Sequence, residues 1–185
     1  MPLSSVLRTM LPLFLFSVAF AVPAAHADNV VTGTLEKVDT GAKTVTVKTA
    51  DGTEDVVKYT GKTTADGAKS VARPADLVGK EGGHVIVHST AEGTDKVAYS
   101  IHYVGDETVH ATEGTVEDVG KDGKTVTVRT ADGTEKTFDV ASHATTDTGK
   151  DVGVYTADAV KKGAHVTVYS TEEAGKSIAH VFSHF

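Results

Sequence analysis

The chain has 185 residues, of which 39% are hydrophobic, a formal net charge of −7 and no cysteine. The lack of cysteine excludes a disulfide scaffold and a thiol enzyme. The acidic balance argues against a nucleic-acid partner, because nucleic-acid binding usually requires a basic face.

Residues 1–27 have the pattern of a secretory signal peptide. Arg8 precedes an apolar run from Met10 to Val22, and Ala25-His26-Ala27 supplies the small residues of a cleavage site. The run is shorter than the roughly 20 residues of a membrane span. Removing this segment, which holds one arginine and no acidic residue, leaves 158 residues with a net charge of −8. We therefore expect an acidic, exported protein, periplasmic or extracellular, with no membrane span after signal cleavage.

The remaining sequence has the composition of an all-β protein. Residues 28–185 contain 25 valines and 26 threonines, but Leu35 and Leu77 are the only leucines. β-Branched side chains fit a pleated, half-buried surface and lose side-chain freedom in a helix. Strands filled mainly by valine are therefore expected.

One segment of this sequence occurs twice. Lys43–Glu54 recurs as Lys124–Glu135 with one conservative change, at a shift of 81 residues that we call the repeat offset. The same offset maps His84 onto His165. Two copies with so long a period indicate tandem domains and not a solenoid. The predicted organisation is a signal peptide over 1–27, a first β-barrel repeat over 28–104, a linker over 105–109 and a second β-barrel repeat over 110–185.

Each copy is predicted to form five short strands, with a short helix between the third and the fourth. In the first copy the strands are Val31–Val38, Lys43–Thr49, Glu54–Tyr59, His84–Ser89 and Lys96–Tyr103. In the second they are Thr112–Val119, Lys124–Thr130, Glu135–Val140, His165–Ser170 and Lys176–His184. This order is typical of an OB-fold barrel, and an SH3-like barrel is the alternative. Because about 75 residues is small for independent stability, the copies are expected to share an interface.

The apolar alternation also predicts the register of the first hairpin of each copy. A two-residue Asp-Gly turn would place polar residues in the second core, whereas a three-residue loop, Ala50-Asp51-Gly52, sets Val45 opposite Val57. A slip of one residue turns every side chain to the other face. The core therefore favours the three-residue loop with a glycine bulge, with Val57 buried and Val56 exposed.

The repeated skeleton resembles a family of exported bacterial small β-barrel domains of unknown function. The resemblance rests on Gly-x-Leu/Val, Lys-Thr-Val-Thr-Val, Ala-Asp-Gly and His-Val-x-Val, and it covers nearly the whole of residues 28–185 twice. It implies a small closed barrel in the cell envelope and carries over no catalytic or binding residue.

Histidine is the residue type that most suggests chemistry, since imidazole is a common ligand of zinc, copper and nickel. Two histidines four residues apart on a strand are separated by about 13 Å, too far to hold one ion easily. A metal site would need histidines from neighbouring strands. The candidates are His84, His88, His102, His165, His180 and His184. The other interpretation is that they form polar strand surface.

No sequence motif points to catalysis. The chain has no Gly-x-Ser-x-Gly elbow, no phosphate-binding glycine loop and no His-Glu-x-x-His pair. The leading hypothesis is a non-enzymatic exported binding or scaffolding module of the cell envelope, with a protein or glycan partner and no cofactor. The alternative is a histidine-dependent protein that binds or buffers zinc, copper or nickel in the periplasm.

Overall fold

A computed structural model of the chain describes residues 29–68, 70–149 and 152–184. The predicted signal peptide lies outside the described residues. Within them, no helix is both long enough and apolar enough to span a membrane.

The described residues form eleven strands and one turn of 3-10 helix at Pro74–Leu77. The strands are β1 Asn29–Asp39, β2 Thr44–Lys48, β3 Glu54–Gly67, β4 His84–Glu92, β5 Asp95–Gly105, β6 His110–Val119, β7 Thr125–Arg129, β8 Glu135–Asp147, β9 Val152–Val154, β10 His165–Glu173 and β11 Lys176–His184.

Two barrels close through the same strand order. In the first, β1, β2, β3, β5 and β4 are neighbours, and β4 returns to β1. In the second, β6, β7, β8, β11 and β10 are neighbours, and β10 returns to β6. The third and fifth strands of each barrel run parallel, and β9 adds to β8 as an extra strand. The prediction of an all-β chain with two tandem five-stranded OB-like barrels is confirmed, and residues 106–109 connect them.

The first hairpin of each barrel has the predicted register. Val45 lies opposite Val57, and Val126 lies opposite Phe138. Gly52 takes a positive φ of 86°, which a glycine adopts without strain. Val57 is fully buried while Val56 is 56% exposed. The three-residue loop is therefore confirmed.

Each barrel has its own core of mainly β-branched side chains. In the first, Leu77 of the 3-10 turn closes the core; in the second, Val160 does so from a hydrogen-bonded turn. A helix was expected at both places, so the second barrel differs from the prediction. The largest buried side chains of the two cores are Leu35, Leu77, Ile101, Tyr103, Phe138 and Phe182.

The third strand of each barrel is longer than predicted. β3 continues past Tyr59 through a bulge to Gly67, and its second half pairs in parallel with β5. The polar sequence of this half gives no strand signal. The segment forms a strand because it pairs with β5. The Thr63 hydroxyl, for example, donates to the carbonyl of Ala98 at 2.6 Å. This extension positions one carboxylate in each barrel, Asp66 and Asp147.

The two barrels share an interface made by the outer faces of their strands. Val87 faces the core of the first barrel, whereas its neighbour Ile86 packs in a separate apolar cluster with Val104, Tyr169 and Val181. Ile86 and Val104 belong to the first barrel, and the other two to the second. β4 is thus buried on both faces, and the shared interface expected from the small size of each repeat is present.

Candidate functional site

The same polar cleft is found on both barrels. The first is lined by Gly33, Thr34, Lys48, Thr49, Ala50 and His84, among others. The repeat offset maps these six positions onto the lining of the second, which includes Gly114, Thr115, Arg129, Thr130, Ala131 and His165. Five of the six positions keep their residue type, and the sixth exchanges one cation for another.

Each cleft contains a row of three side chains that crosses three adjacent strands. Thr34 of β1 is paired with Lys48 of β2 on one side and with His84 of β4 on the other. Directly paired residues in antiparallel strands point to the same face, and neighbouring strands lie about 4.8 Å apart. A cation, a hydroxyl and an imidazole therefore stand side by side on the outer surface.

The row recurs in the second barrel with the same register. Thr115 is paired with Arg129 and with His165. The Thr115 hydroxyl lies 3.4 Å from Nε2 of His165, within hydrogen-bonding range. All three side chains of the row can donate a hydrogen bond.

A carboxylate faces the cation of each row. Glu36 lies 3.5 Å from the ammonium of Lys48, and Glu117 lies 3.2 Å from Nε of Arg129. The repeat offset relates these two glutamates as well. Each cleft thus offers several donors. The second is also lined by two carboxylate acceptors, Glu113 and Glu117, whereas Glu36 lies beside Lys48 but does not line the first cleft.

A glycine lets the first two strands approach closely beside each row. A Cβ atom added to Gly33 would lie 2.2 Å from the carbonyl oxygen of Lys48, and one added to Gly114 would lie 2.4 Å from that of Arg129. The second cleft is the more open, with a volume of about 320 Å³ against about 130 Å³. Thr108 of the connecting segment contributes to the wall of the first cleft.

A second polar feature lies buried between the barrels. The imidazole of His88 on β4 contacts the carboxylate of Asp147 on β8 through Nδ1 and Oδ2, and their side chains are 1% and 0% exposed. The hydroxyl of Tyr99 donates to Oδ2 of Asp147 at 2.8 Å, and the N–H of Gly149 donates to Oδ1 at 2.8 Å. The ring of Tyr169 packs edge-on against His88, with 6.2 Å between centroids.

The surroundings of Asp147 favour its charged form. Burial alone raises the pKa of this carboxyl, but the hydrogen bond and charge of His88, with the donors Gly149 and Tyr99, bring the pKa below its ordinary value. Burial and the negative charge of Asp147 raise the pKa of Tyr169. The second barrel therefore presents a buried anion to the first.

Asp66 is the counterpart of Asp147 in the first barrel. Its carboxylate contacts Nδ1 of His102 on β5. The ring of His102 in turn lies against that of His180 on β11, with 5.7 Å between centroids, and Nε2 of His180 lies 2.9 Å from the hydroxyl of Thr171. Burial, with the charge of His102, lowers the pKa of His180 to about 4, so this imidazole is neutral at pH 7.

The six histidines singled out from the sequence lie in three environments. His84 and His165 line the clefts, His184 is half-buried at the end of β11, and the other three are buried between the barrels. The interpretation of all six as polar strand surface is therefore wrong for His88, His102 and His180. The structure brings His102 of the first barrel and His180 of the second together across the interface. Among the described residues, no three His, Asp or Glu side chains are arranged to hold a metal ion.

Sequence reasoning missed the two carboxylates of the interface. Asp66 and Asp147 lie in polar segments beyond the predicted ends of β3 and β8. Their signal was present, because the repeat offset maps one onto the other. Neither a protein-family model nor a curated protein matches the chain, so the resemblance to exported small β-barrel domains stays a prediction.

Proposed function

We propose that the protein is a non-enzymatic exported binding module, periplasmic or extracellular, whose two barrels each present a polar cleft to one partner. The observation that carries this proposal is the recurrence of the row Lys48, Thr34 and His84, in register, on the second barrel.

Packing does not account for the recurrence. Lys48 and His165 are exposed, and Thr34 and His84 are half-buried, so the rows contribute little to either core. Exposed ion pairs such as those with the two glutamates contribute roughly 0–1 kcal/mol. Of the eight histidines in residues 28–185, His84 and His165 form the only pair related by the repeat offset. A surface that has kept its hydrogen-bonding groups in both copies supports a role in binding.

The chemistry of the clefts favours an uncharged, hydroxyl-rich partner, such as a neutral glycan. Sugar hydroxyls both donate and accept hydrogen bonds. Both clefts supply donors, and carboxylate acceptors line the second cleft. OB barrels commonly bind oligosaccharides on one face. Among the described residues that line the clefts none is Phe, Tyr or Trp, which disfavours the base stacking of single-stranded nucleic acid. A repeating polymer can also engage both clefts of one chain.

Binding to immobilised polysaccharides tests this proposal. The protein is applied to neutral and acidic envelope glycans, and the double variant His84→Ala with His165→Ala is compared with the double variant His110→Ala with His143→Ala. The second pair is the matched control, because both histidines are exposed and line neither cleft. We expect the cleft variant to lose binding to a neutral glycan and the control to retain it. Equal binding by the two variants, or turnover of the glycan by the protein, would contradict the proposal.

A further inference from the structure

We propose that His102 and His180 form a binding site for one divalent first-row transition-metal ion in the cavity between the two barrels, with Cu²⁺ as the tightest-bound ion. The site is separate from the polar clefts and draws one ligand from each barrel.

The two rings have the separation that a shared ion requires. An imidazole bound through nitrogen at about 2.0–2.1 Å places its ring centroid about 3.2 Å from the ion, so two rings on one ion have centroids about 4.5–6.4 Å apart for angles of about 90–180° at the ion. The centroids of His102 and His180 are 5.7 Å apart. The rings are inclined to each other at 53°.

The hydrogen bonds of the two rings leave one nitrogen of each for a ligand. Asp66 takes Nδ1 of His102, and Thr171 takes Nε2 of His180. Within the described part of the chain, neither Nε2 of His102 nor Nδ1 of His180 has a hydrogen-bond partner. A carboxylate that accepts the N–H of a ligating histidine fixes its tautomer and raises its basicity, which is the usual arrangement around protein-bound metals. Asp66 stands in that position toward His102.

The cavity beside the two histidines has room to complete a coordination shell. Its volume is about 260 Å³, and it is also lined by His143 and Glu173 from the second barrel. Both of these side chains are exposed and can turn toward an ion, and water can fill the remaining positions. Nitrogen and oxygen ligands of this kind suit Cu²⁺, Ni²⁺ and Zn²⁺, and affinity in such a site rises toward Cu²⁺.

Isothermal titration calorimetry of the metal-free protein, with Cu²⁺ and with Zn²⁺ in separate experiments, tests the site. We expect one Cu²⁺ per chain, bound more tightly than Zn²⁺. His102→Ala and His180→Ala should each abolish this binding, and Asp66→Asn should weaken it at least about 10-fold, since it removes the outer partner of a ligand. His110→Ala is the matched control, because this histidine is exposed and does not line the cavity, and it should bind as the wild type does. A one-ion site that survives either His102→Ala or His180→Ala, or the absence of any such site in the wild type, would overturn the proposal.

A measurement on the wild-type protein covers the case in which a variant fails to fold. Substoichiometric Cu²⁺ broadens the NMR resonances of imidazoles near the ion. We expect the ring resonances of His102 and His180 to broaden first, before those of His84 and His165. Broadening that begins at the cleft histidines instead would overturn the proposal.

Discussion

Nδ1 of His88 in the first barrel contacts Oδ2 of Asp147 in the second, and both side chains are withdrawn from solvent at the interface between the barrels. A pair of this kind tolerates the loss of one partner badly, because the remaining group stays buried without compensation. The contact therefore couples the folding of the two barrels, although they lie in different halves of the sequence.

Truncating either partner should destabilise the whole chain. We expect His88→Ala and Asp147→Ala each to lower the free energy of unfolding by about 3–5 kcal/mol. Urea denaturation measures the loss. The control is Asp95→Ala, which removes a pair with Lys58 whose side chains are about half exposed, and a loss below about 1 kcal/mol is expected there. Equal losses at the buried and exposed sites would show that the interface pair has no special role.

The same carboxylate should affect stability at acidic pH. Because the folded pKa of Asp147 lies below its ordinary value of 3.8, its charged form stabilises the fold above that pH, and this contribution is lost as the pH falls through the folded pKa. The groups that face it are His88, Tyr99 and Tyr169. We therefore expect the wild type to lose more stability between pH 5 and pH 2.5 than Asp147→Asn does.

Urea denaturation across this pH range measures the difference between the two proteins. If the stability of the two proteins falls in parallel as the pH is lowered, the lowered pKa assigned to Asp147 is contradicted. Four other aspartates with lowered pKa values titrate in both proteins and cancel in the comparison: Asp39, Asp51, Asp76 and Asp132.

The hairpin register can be tested with two adjacent valines. Val57 is fully buried and Val56 is 56% exposed. Val57→Asp buries an unpaired carboxyl group and should cost about 3 kcal/mol or more. Val56→Asp changes an exposed site and should cost about 0.5 kcal/mol. Thermal unfolding of the two variants ranks them, and the reverse ranking would mean that the strand is turned over.

The close approach of strands beside the cleft depends on Gly114. Gly114→Ala places a methyl group against the carbonyl of Arg129 and the side chain of Val128, so the strands must separate. We expect a loss of about 1–3 kcal/mol, as for other overpacked sites. Gly61→Ala is the control, because a Cβ atom there would meet nothing within 4 Å. Denaturation midpoints compare them, and a Gly114→Ala protein as stable as the control would refute the close approach.

Local pattern was sufficient to predict most of the fold. The alternation of Val45 and Val47 with polar residues indicated the inner face, and the need to bury Phe138 selected the hairpin register. The second half of β3 was missed, because its polar residues are held as a strand by β5 and not by their own propensity. Such pairing is a tertiary effect that propensity does not report.

The interface was harder to predict than the barrels. Ile86 lies between two inward-facing valines, and an apolar residue on the outer face indicates burial on both sides of a strand. That pattern is visible in the sequence. The partners of Ile86 in the second barrel cannot be predicted from it, because they come from the other half of the chain. The same separation in sequence hid the approach of His102 to His180. The two cleft histidines, in contrast, can be paired from the sequence, because the repeat relates His84 to His165.

The most direct test of the binding proposal is the affinity for a long neutral glycan. It is measured for the wild type, for the single-cleft variants His84→Ala and His165→Ala, and for the double variant. If both clefts engage one polymer, each single variant should bind at least about 100-fold more weakly than the wild type, since linked sites gain about 10²–10⁴ in avidity, and the double variant should not bind. Affinities that are unchanged in all three variants would contradict the account.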